Sequence, residues 1–156
     1  MIQVDIPGTG QIEIRHVVFD FNGTIARDGQ LIPGVADGIR EFSDRLHFHV
    51  LTADTFGSVE KQLQSVEIKV GVISKDSQDR KKLDYVNALG ADHTLCVGNG
   101  VIDALMLKSA CIGIVVLEDE GAAVSAITAS DIMVKDVLDV FEYFRTPERL
   151  VATLRR

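Results

Sequence analysis

An apolar segment near the amino terminus ends in a carboxylate. The run His16-Val17-Val18-Phe19-Asp20 continues into Phe21-Asn22-Gly23-Thr24, so an acid stands between a buried stretch and turn residues. A short apolar run of this kind predicts a strand of a parallel sheet. Ligands of open α/β sheets bind outside the carboxyl ends of the strands, which is where Asp20 would lie. A single aspartate at a strand end more often caps a turn, so chemistry at Asp20 requires partners elsewhere in the chain.

A hydroxyl group closes the second predicted core strand. Thr52 follows Val50-Leu51 and precedes Ala53-Asp54, which places it between a strand end and a helix start. Such a threonine is explained as well by N-capping the helix as by holding a ligand. Taken alone, Thr52 leaves both interpretations open.

A buried cation is predicted at Lys82. A basic trio such as Arg80-Lys81-Lys82 usually forms a solvated face. Lys82 is nevertheless followed by Val86 and Leu89 at i+4 and i+7, which puts it on the apolar stripe of its helix, unlike Lys81. Lys82 is therefore the preferred site lysine, with Lys81 as the alternative and Lys75 as a weaker one.

Oxygen donors follow the fourth predicted strand. Gly98-Asn99-Gly100 interrupts the strand, and a helix containing Asp103 comes next. A Gly-x-Gly before a helix is more often a plain turn than a ligand loop. Amide and carboxylate oxygens are, however, the ligands that Mg²⁺ prefers, together with water and substrate phosphate.

The elements that must position these residues alternate along the chain. Core strands are predicted at 16–20, 48–51, 69–73, 94–97, 112–117 and 132–134, and helices at 35–46, 59–66, 77–89, 102–109 and 122–129, with a last helix opening at 146–148. An N-terminal β-hairpin is expected over 1–15, and a small flap over 25–33 because Asp28-Gly29 is a hairpin turn signal. Strands that alternate with helices predict a parallel sheet with right-handed crossovers.

Length and charge set the broad class. The 156 residues fit one domain, and the net charge of −7 argues against nucleic-acid and anionic-membrane partners. No apolar run approaches membrane-spanning length, and the start lacks the features of a signal peptide. Cys96 and Cys111 lie in apolar runs and are expected to be small buried hydrophobes in a reducing compartment. We therefore expect a cytoplasmic enzyme or binding protein.

Together, the four polar groups resemble the ordered motifs of the haloacid-dehalogenase (HAD) superfamily of phosphatases and phosphotransferases. Asp20-Phe21-Asn22-Gly23-Thr24 is similar to the first motif of that family, and Thr52-Ala53-Asp54 resembles the Thr-Gly-Asp of P-type ATPases. The segment 98–105 resembles their Gly-Asp-Gly-Val-Asn-Asp-Ala-Pro-Ala-Leu string, and 112–116 and 130–134 also look like their phosphorylation domain. The resemblance points to a small, soluble P-type ATPase-like branch without a cap domain.

This resemblance implies a fold and a set of roles. The fold would be a single HAD-like Rossmannoid domain over 1–156, a doubly wound parallel α/β sheet with central strand order 3-2-1-4-5. Asp20 would be the nucleophile and form an aspartyl phosphate. Residues near it would hold the phosphoryl group, namely Gly23, Thr24, Thr52, Ala53 and Lys82. Oxygens around it would bind Mg²⁺, namely those of Asp20, the Asn22 carbonyl, Asn99 and Asp103, the last directly or through water.

Two asparagines depart from the family pattern. Phosphatases of the family usually carry Asp where Asn22 stands, to protonate the leaving group, and an amide cannot do this. Asn99 replaces another Asp and offers an uncharged ligand. The two asparagines favour the alternative, a non-catalytic or weakly active binding or regulatory module, whereas the retained Asp20, Thr52, Lys82 and Asp103 favour the enzyme. For an enzyme without an acid at position 22, the expected partner is a small phosphorylated substrate or a nucleotide with a good leaving group.

Other polar groups are expected to be structural. His47 and His49 share one face of a strand but have no evident third metal ligand, so they are interpreted as ordinary strand residues. Glu118-Asp119-Glu120 is expected to be a solvated loop. Because the predicted site has no cap, a second copy of the chain is the candidate cover for it.

Overall fold

The computed structural model describes residues 1–53 and 57–156. The strands are β1 (Ile2–Ile6), β2 (Gly10–Ile14), β3 (His16–Asp20), β4 (Ala26–Arg27), β5 (Gln30–Leu31), β6 (His47–Thr52), β7 (Ile68–Val72), β8 (Thr94–Gly98), β9 (Ile112–Val116) and β10 (Ile132–Val134). The helices are α1 (Val35–Phe42), α2 (Ser58–Leu63), α3 (Gln78–Leu89), α4 (Ala104–Ser109), α5 (Val124–Ala129), α6 (Leu138–Arg145) and α7 (Glu148–Leu154), with 3-10 turns at Ala91–His93 and Val101–Asp103.

Six strands form one parallel sheet. Their order is β10-β9-β8-β3-β6-β7, and every pairing in the sheet is parallel. Numbered as core strands, this is 3-2-1-4-5 with the sixth strand added outside the fifth, so the predicted order is confirmed. The chain winds outward in one direction from β3 to β7 and in the other from β8 to β10. The carboxyl ends of β3 and β8 therefore flank the switch point at which α/β folds bind ligands.

Two small hairpins accompany the sheet. β1 and β2 pair antiparallel with Ile2 opposite Ile14, as expected for the N-terminal hairpin. β4 and β5 form the flap, and its two turn residues, Asp28 and Gly29, have positive φ angles of 49° and 74°. Two consecutive positive φ angles are typical of the tight hairpin turn that the Asp-Gly pair predicted. Between β3 and α3 the described residues form only this flap, α1, β6, α2 and β7, so no cap domain lies among them.

Helices cover both faces of the sheet. Phe19 and Phe48 pack towards α1, α6 and α7, where Phe141 belongs to the same apolar cluster. The opposite face packs Val18 against α3, α4 and α5 in a second cluster. α1 approaches α6 closely because Gly38 has no side chain: a Cβ there would lie 2.7 Å from the Phe141 ring. The apolar strands are thus buried on both faces, as parallel sheets require.

One helix of the structure, α6, was not among the predicted elements. α6 buries Val140, Phe141 and Phe144, which follow the buried Val137 at i+3, i+4 and i+7. Other predicted elements are present with shifted ends, and α4 begins after a 3-10 turn. The predicted helix over 59–66 is realised as α2, whereas Asp54 lies outside the described residues. No helix in the described ranges is both long and apolar enough to cross a bilayer.

Candidate active site

A cleft of about 640 Å³ opens at the carboxyl ends of β3, β6 and β8. Six of the residues predicted from the sequence line it: Asp20, Asn22, Thr52, Ala53, Asn99 and Asp103. The three strands end side by side, and each contributes its last residue or the loop that follows. The parallel sheet therefore brings together groups that are far apart in the sequence.

Lys82 lies behind the cleft and joins two carboxylates. Its Nζ donates a hydrogen bond to Asp20 Oδ1 and another, 2.6 Å long, to Asp103 Oδ1. The exposed fractions are 1% for Lys82, 0% for Asp103 and 9% for Asp20. Lys81 instead reaches Asp76 at 2.9 Å on the surface. Of the candidate lysines, Lys82 is thus the one that the helix places against Asp20.

Asp103 is held on every side. Its Oδ2 accepts backbone N–H groups from Asn99 at 3.0 Å and Gly100 at 2.9 Å, while its Oδ1 accepts from Lys82. The carboxylate fits only because Gly98 lacks a side chain, since a Cβ there would lie 2.6 Å from Asp103 Cγ. These contacts make Asp103 the anchor of Lys82. Its predicted role as a magnesium ligand stays a prediction.

The buried charges alter each other's pKa. Burial, assisted by the charge of Asp103, raises the pKa of Asp20 to about 7, although Lys82 acts in the opposite direction. Burial alone would lower the pKa of Lys82, but the two carboxylates outweigh it and the pKa is raised. Lys82 therefore stays protonated at neutral pH. The ionisation of Asp20, in contrast, depends on the positive charge around it.

The turn after β3 uses most of its amides internally. Gly23 N–H donates to Ala26 O at 2.8 Å, and Thr24 N–H donates to Phe21 O at 3.3 Å. Thr24 is fully buried, and its hydroxyl has no hydrogen-bond partner among the described residues. Phosphate binding by Gly23 and Thr24 stays a prediction. To bind phosphate through their backbone, these residues would have to give up the N–H bonds to Ala26 O and Phe21 O. Thr52 and Ala53 line the cleft and Lys82 lies behind it, and phosphate binding by these three residues also stays a prediction.

The donor set fits a hard divalent cation. The cleft is lined by the oxygen-bearing side chains of Asp20, Asn22 and Asn99, and no thiolate or imidazole is found among its described lining residues. Among the described residues, no three His, Cys, Asp or Glu side chains are arranged to hold a metal. An ion here would depend on amide and backbone oxygens, water and substrate phosphate. That is the usual way in which proteins hold Mg²⁺.

Sequence reasoning missed Glu120, which also lines the cleft. Its loop is more ordered than expected: Glu118 accepts the Val137 N–H at 2.6 Å, and Asp119 pairs with Arg27 of the flap at 2.8 Å. Glu120 follows β9, a neighbour of β8 in the same parallel sheet. The rule that led to Asp20, namely that ligands bind beyond the carboxyl ends of strands, would have identified it.

Comparisons with known proteins give a fold. No protein-family model matches the chain. An uncharacterised protein of Methanocaldococcus jannaschii is 46% identical over 61 residues, which is 39% of this chain and 66% of that protein, just under two thirds.

Solved structures match over most of the chain. One is 3-deoxy-D-manno-octulosonate 8-phosphate phosphatase from Moraxella catarrhalis in complex with magnesium, phosphate and KDO (TM-score 0.68, 17% identity, 91% of this chain and 94% of that one). Another is a phosphoserine phosphatase (0.68, 13%, 84% and 99%). A third, from Streptomyces avermitilis, has been assigned to the HAD family of hydrolases. It has a TM-score of 0.63 and 20% identity, and the match covers 79% of this chain and 76% of that one. The chain therefore has the HAD fold, while the P-type ATPase-like branch stays a prediction.

Proposed function

We propose that this chain is a Mg²⁺-dependent phosphohydrolase that forms an aspartyl phosphate on Asp20. The observation that carries the proposal is the buried pairing of Lys82 with Asp20 at the head of the cleft. Burying such charges costs free energy that ion pairing only partly offsets, so a triad of this kind is poor evidence for a purely stabilising role. A carboxylate fixed beside a lasting cation suits attack on an anionic phosphoryl group.

Each residue has a defined part in the reaction. A carboxylate oxygen of Asp20 bonds to phosphorus as the bond to the leaving oxygen breaks. Lys82 stays protonated throughout and offsets the negative charge, while Asp103 keeps its ammonium group in place. Thr52 and Ala53 hold the phosphoryl oxygens from the neighbouring strand. Water then attacks phosphorus, releasing phosphate and restoring the Asp20 carboxylate.

Magnesium would be held by Asp20, Asn22 and Asn99. When bound, the ion supplies positive charge that favours the ionised carboxylate and offsets charge on the phosphoryl oxygens. The magnesium and phosphate in the Moraxella phosphatase support this choice of ion and ligand.

The residue at position 22 limits the substrates. Asn22 lines the cleft beside the nucleophile and has no proton to give at neutral pH. The leaving oxygen must then depart with its charge. The lack of an acid should slow the turnover of acyl phosphates, aryl phosphates and nucleotide anhydrides only slightly. It should slow the turnover of alkyl esters such as sugar phosphates the most.

The proposal is tested by a screen of phosphate esters and anhydrides with and without Mg²⁺. Activity should require the ion, and Asp20→Asn should reduce turnover by at least about 1,000-fold, as expected for loss of a nucleophile. Asp28→Asn serves as the control, because it removes one carboxylate from the flap beside the cleft-lining Gly29. An Asp20→Asn protein that stays folded and keeps wild-type turnover would refute the proposal.

A further inference from the structure

The loop between β9 and α5 carries Glu120 to the cleft and is bonded to its surroundings at several points. Glu118 adopts a φ of +43°, a left-handed conformation that non-glycine residues seldom adopt without support. The support is the bond from Val137 N–H to its carboxylate. Asp119 is tied to Arg27 of the flap. Glu120 is thereby held facing the cleft, at an exposed position on its wall.

Asn99 is bonded to this loop at two points. Its side-chain Nδ2 donates to Gly121 O at 3.1 Å, and its backbone oxygen accepts the Ala123 N–H at 2.8 Å. An aspartate at position 99 could not donate the first of these bonds. The amide therefore has a structural use, which is to hold the loop that carries Glu120.

Glu120 and Asn99 converge above the turn that follows the nucleophile. A Cβ at Gly23 would lie 2.5 Å from Asn99 Nδ2 and 2.6 Å from Glu120 Oε2, and the φ of Gly23 is +75°. Only glycine can occupy this place. The Glu120 carboxylate thus lies close to the amide that replaces the expected aspartate, and it lines the same cleft as Asn22.

We propose that Glu120 belongs to the cation-binding site of this cleft, and that it supplies the negative charge that position 99 lacks. The inference rests on the proposed function, because it concerns the Mg²⁺ of that reaction. Hard divalent cations are held chiefly by carboxylate, carbonyl and water oxygens. A carboxylate at position 120 gives the site the same total charge as an aspartate at position 99 would. The amide at position 99 is then available to donate the hydrogen bond that holds the loop.

Calorimetric titration of the full chain with MgCl₂, without substrate, tests the inference. Glu120→Gln keeps the shape of the side chain and removes its charge, so the dissociation constant should rise by about 10–100-fold, the usual effect of losing a close partner of a metal site. Asp28→Asn should leave it within about twofold of wild type, since an exposed charge farther along the flap is largely screened. The melting temperature of each variant without Mg²⁺ checks that it folds.

A second substitution tests whether both positions serve one ion. Asn99→Asp adds a charge and should tighten Mg²⁺ binding, but in the wild-type background it also loses the bond to Gly121 and faces Glu120. The gain should therefore be larger in the Glu120→Gln background, which is a coupling that a double-mutant cycle measures. Equal gains in the two backgrounds would overturn the assignment of both positions to one ion.

The failures of the two proposals are distinguishable. If the wild-type chain binds Mg²⁺ and Glu120→Gln binds it within about twofold of the same affinity, the inference about Glu120 is wrong and the proposed function stands. If the wild-type chain shows no Mg²⁺ binding by calorimetry and no rise in melting temperature with MgCl₂, the metal dependence fails, and the inference fails with it.

Discussion

Two polar clusters lie at opposite ends of β3, which begins at His16 and ends at Asp20. At the carboxyl end, Lys82 joins Asp20 and Asp103 beside a cleft of about 640 Å³. At the amino end, His49 bonds His16 at 3.1 Å and Tyr85 at 3.0 Å beside a groove of about 650 Å³. The two concavities have similar volumes, so their size does not tell which one is functional.

Helix α3 contributes to both clusters. Lys82 and Tyr85 are three residues apart on α3. Lys82 bonds Asp20, the last residue of β3, whereas Tyr85 bonds His49 within β6. The histidine cluster is neutral at pH 7, since burial and positive neighbours lower the pKa of His49 to about 4. In the lysine cluster, Lys82 stays positively charged, because its carboxylate neighbours outweigh the effect of burial and raise its pKa. Buried charge, rather than cavity volume, distinguishes the proposed active site from a structural polar network.

The comparison predicts its largest effect for Lys82→Met. Removing the cation leaves two buried carboxylates without a positive charge beside them, which should lower the free energy of unfolding by about 3–5 kcal/mol. Turnover should fall by about 10³-fold or more, because a fixed transition-state charge is lost. Urea unfolding and steady-state kinetics measure the two effects.

Tyr85→Phe is the matched control on the same helix. It removes one neutral hydrogen bond, so it should cost about 1 kcal/mol of stability and leave turnover unchanged. If Tyr85→Phe reduced turnover as strongly as Lys82→Met, the distinction between the two clusters would be lost.

Asn22→Asp should change the substrate preference. An acid beside the nucleophile protonates the leaving oxygen, which should raise turnover of alkyl phosphates by about 10²-fold, at the low end of what general acid catalysis contributes. Anhydrides should gain much less. The measurement is the rate of both proteins across leaving groups of graded pKa. Parallel dependences in the two proteins would show that position 22 does not govern the reaction.

The smallest effect is a pH dependence of stability from the histidine cluster. The pKa of His49 is about 4 in the folded chain and near 6.5 when unfolded. Between these values the unfolded chain binds the extra proton, so falling pH favours unfolding, by about 1 kcal/mol from pH 6.5 to 4 after allowance for solvent screening. Above pH 6.5 the contribution of His49 is constant.

Asp20 titrates in the same range with the opposite sign, because its pKa is raised in the fold. The check is therefore a difference: wild-type stability minus that of His49→Gln, measured by urea unfolding from pH 4 to 8. The difference should fall below pH 6.5. A flat difference would mean that His49 is not held neutral by its surroundings.

Much of this arrangement could be predicted from local patterns. The period of Lys82 and Val86 distinguished the inward lysine from Lys81, and the alternation of strands and helices predicted the parallel sheet, whose strand order was implied by the family resemblance. α6 was missed although Val137, Val140, Phe141 and Phe144 follow the helical period.

Other features depend on tertiary contacts that no local pattern encodes. The bonds that turn Asp103 towards Lys82 come from backbone N–H groups of a particular loop shape. The placement of Glu120 requires the positive φ of Glu118 and the pairing of Asp119 with Arg27. An acidic run in a sequence looks the same whether it is solvated or held against a cleft.

The most direct test of the central claim is to trap the phosphorylated chain. The wild-type protein is mixed with Mg²⁺ and an acyl or aryl phosphate, quenched in acid, digested and analysed by mass spectrometry. The account predicts one phosphoryl group on Asp20, removed by hydroxylamine, absent from Asp20→Asn and longer-lived than in Asn22→Asp, because Asn22 provides no base for the second step. Release of phosphate without any phosphoryl group on Asp20, or with the label on another residue, would contradict it.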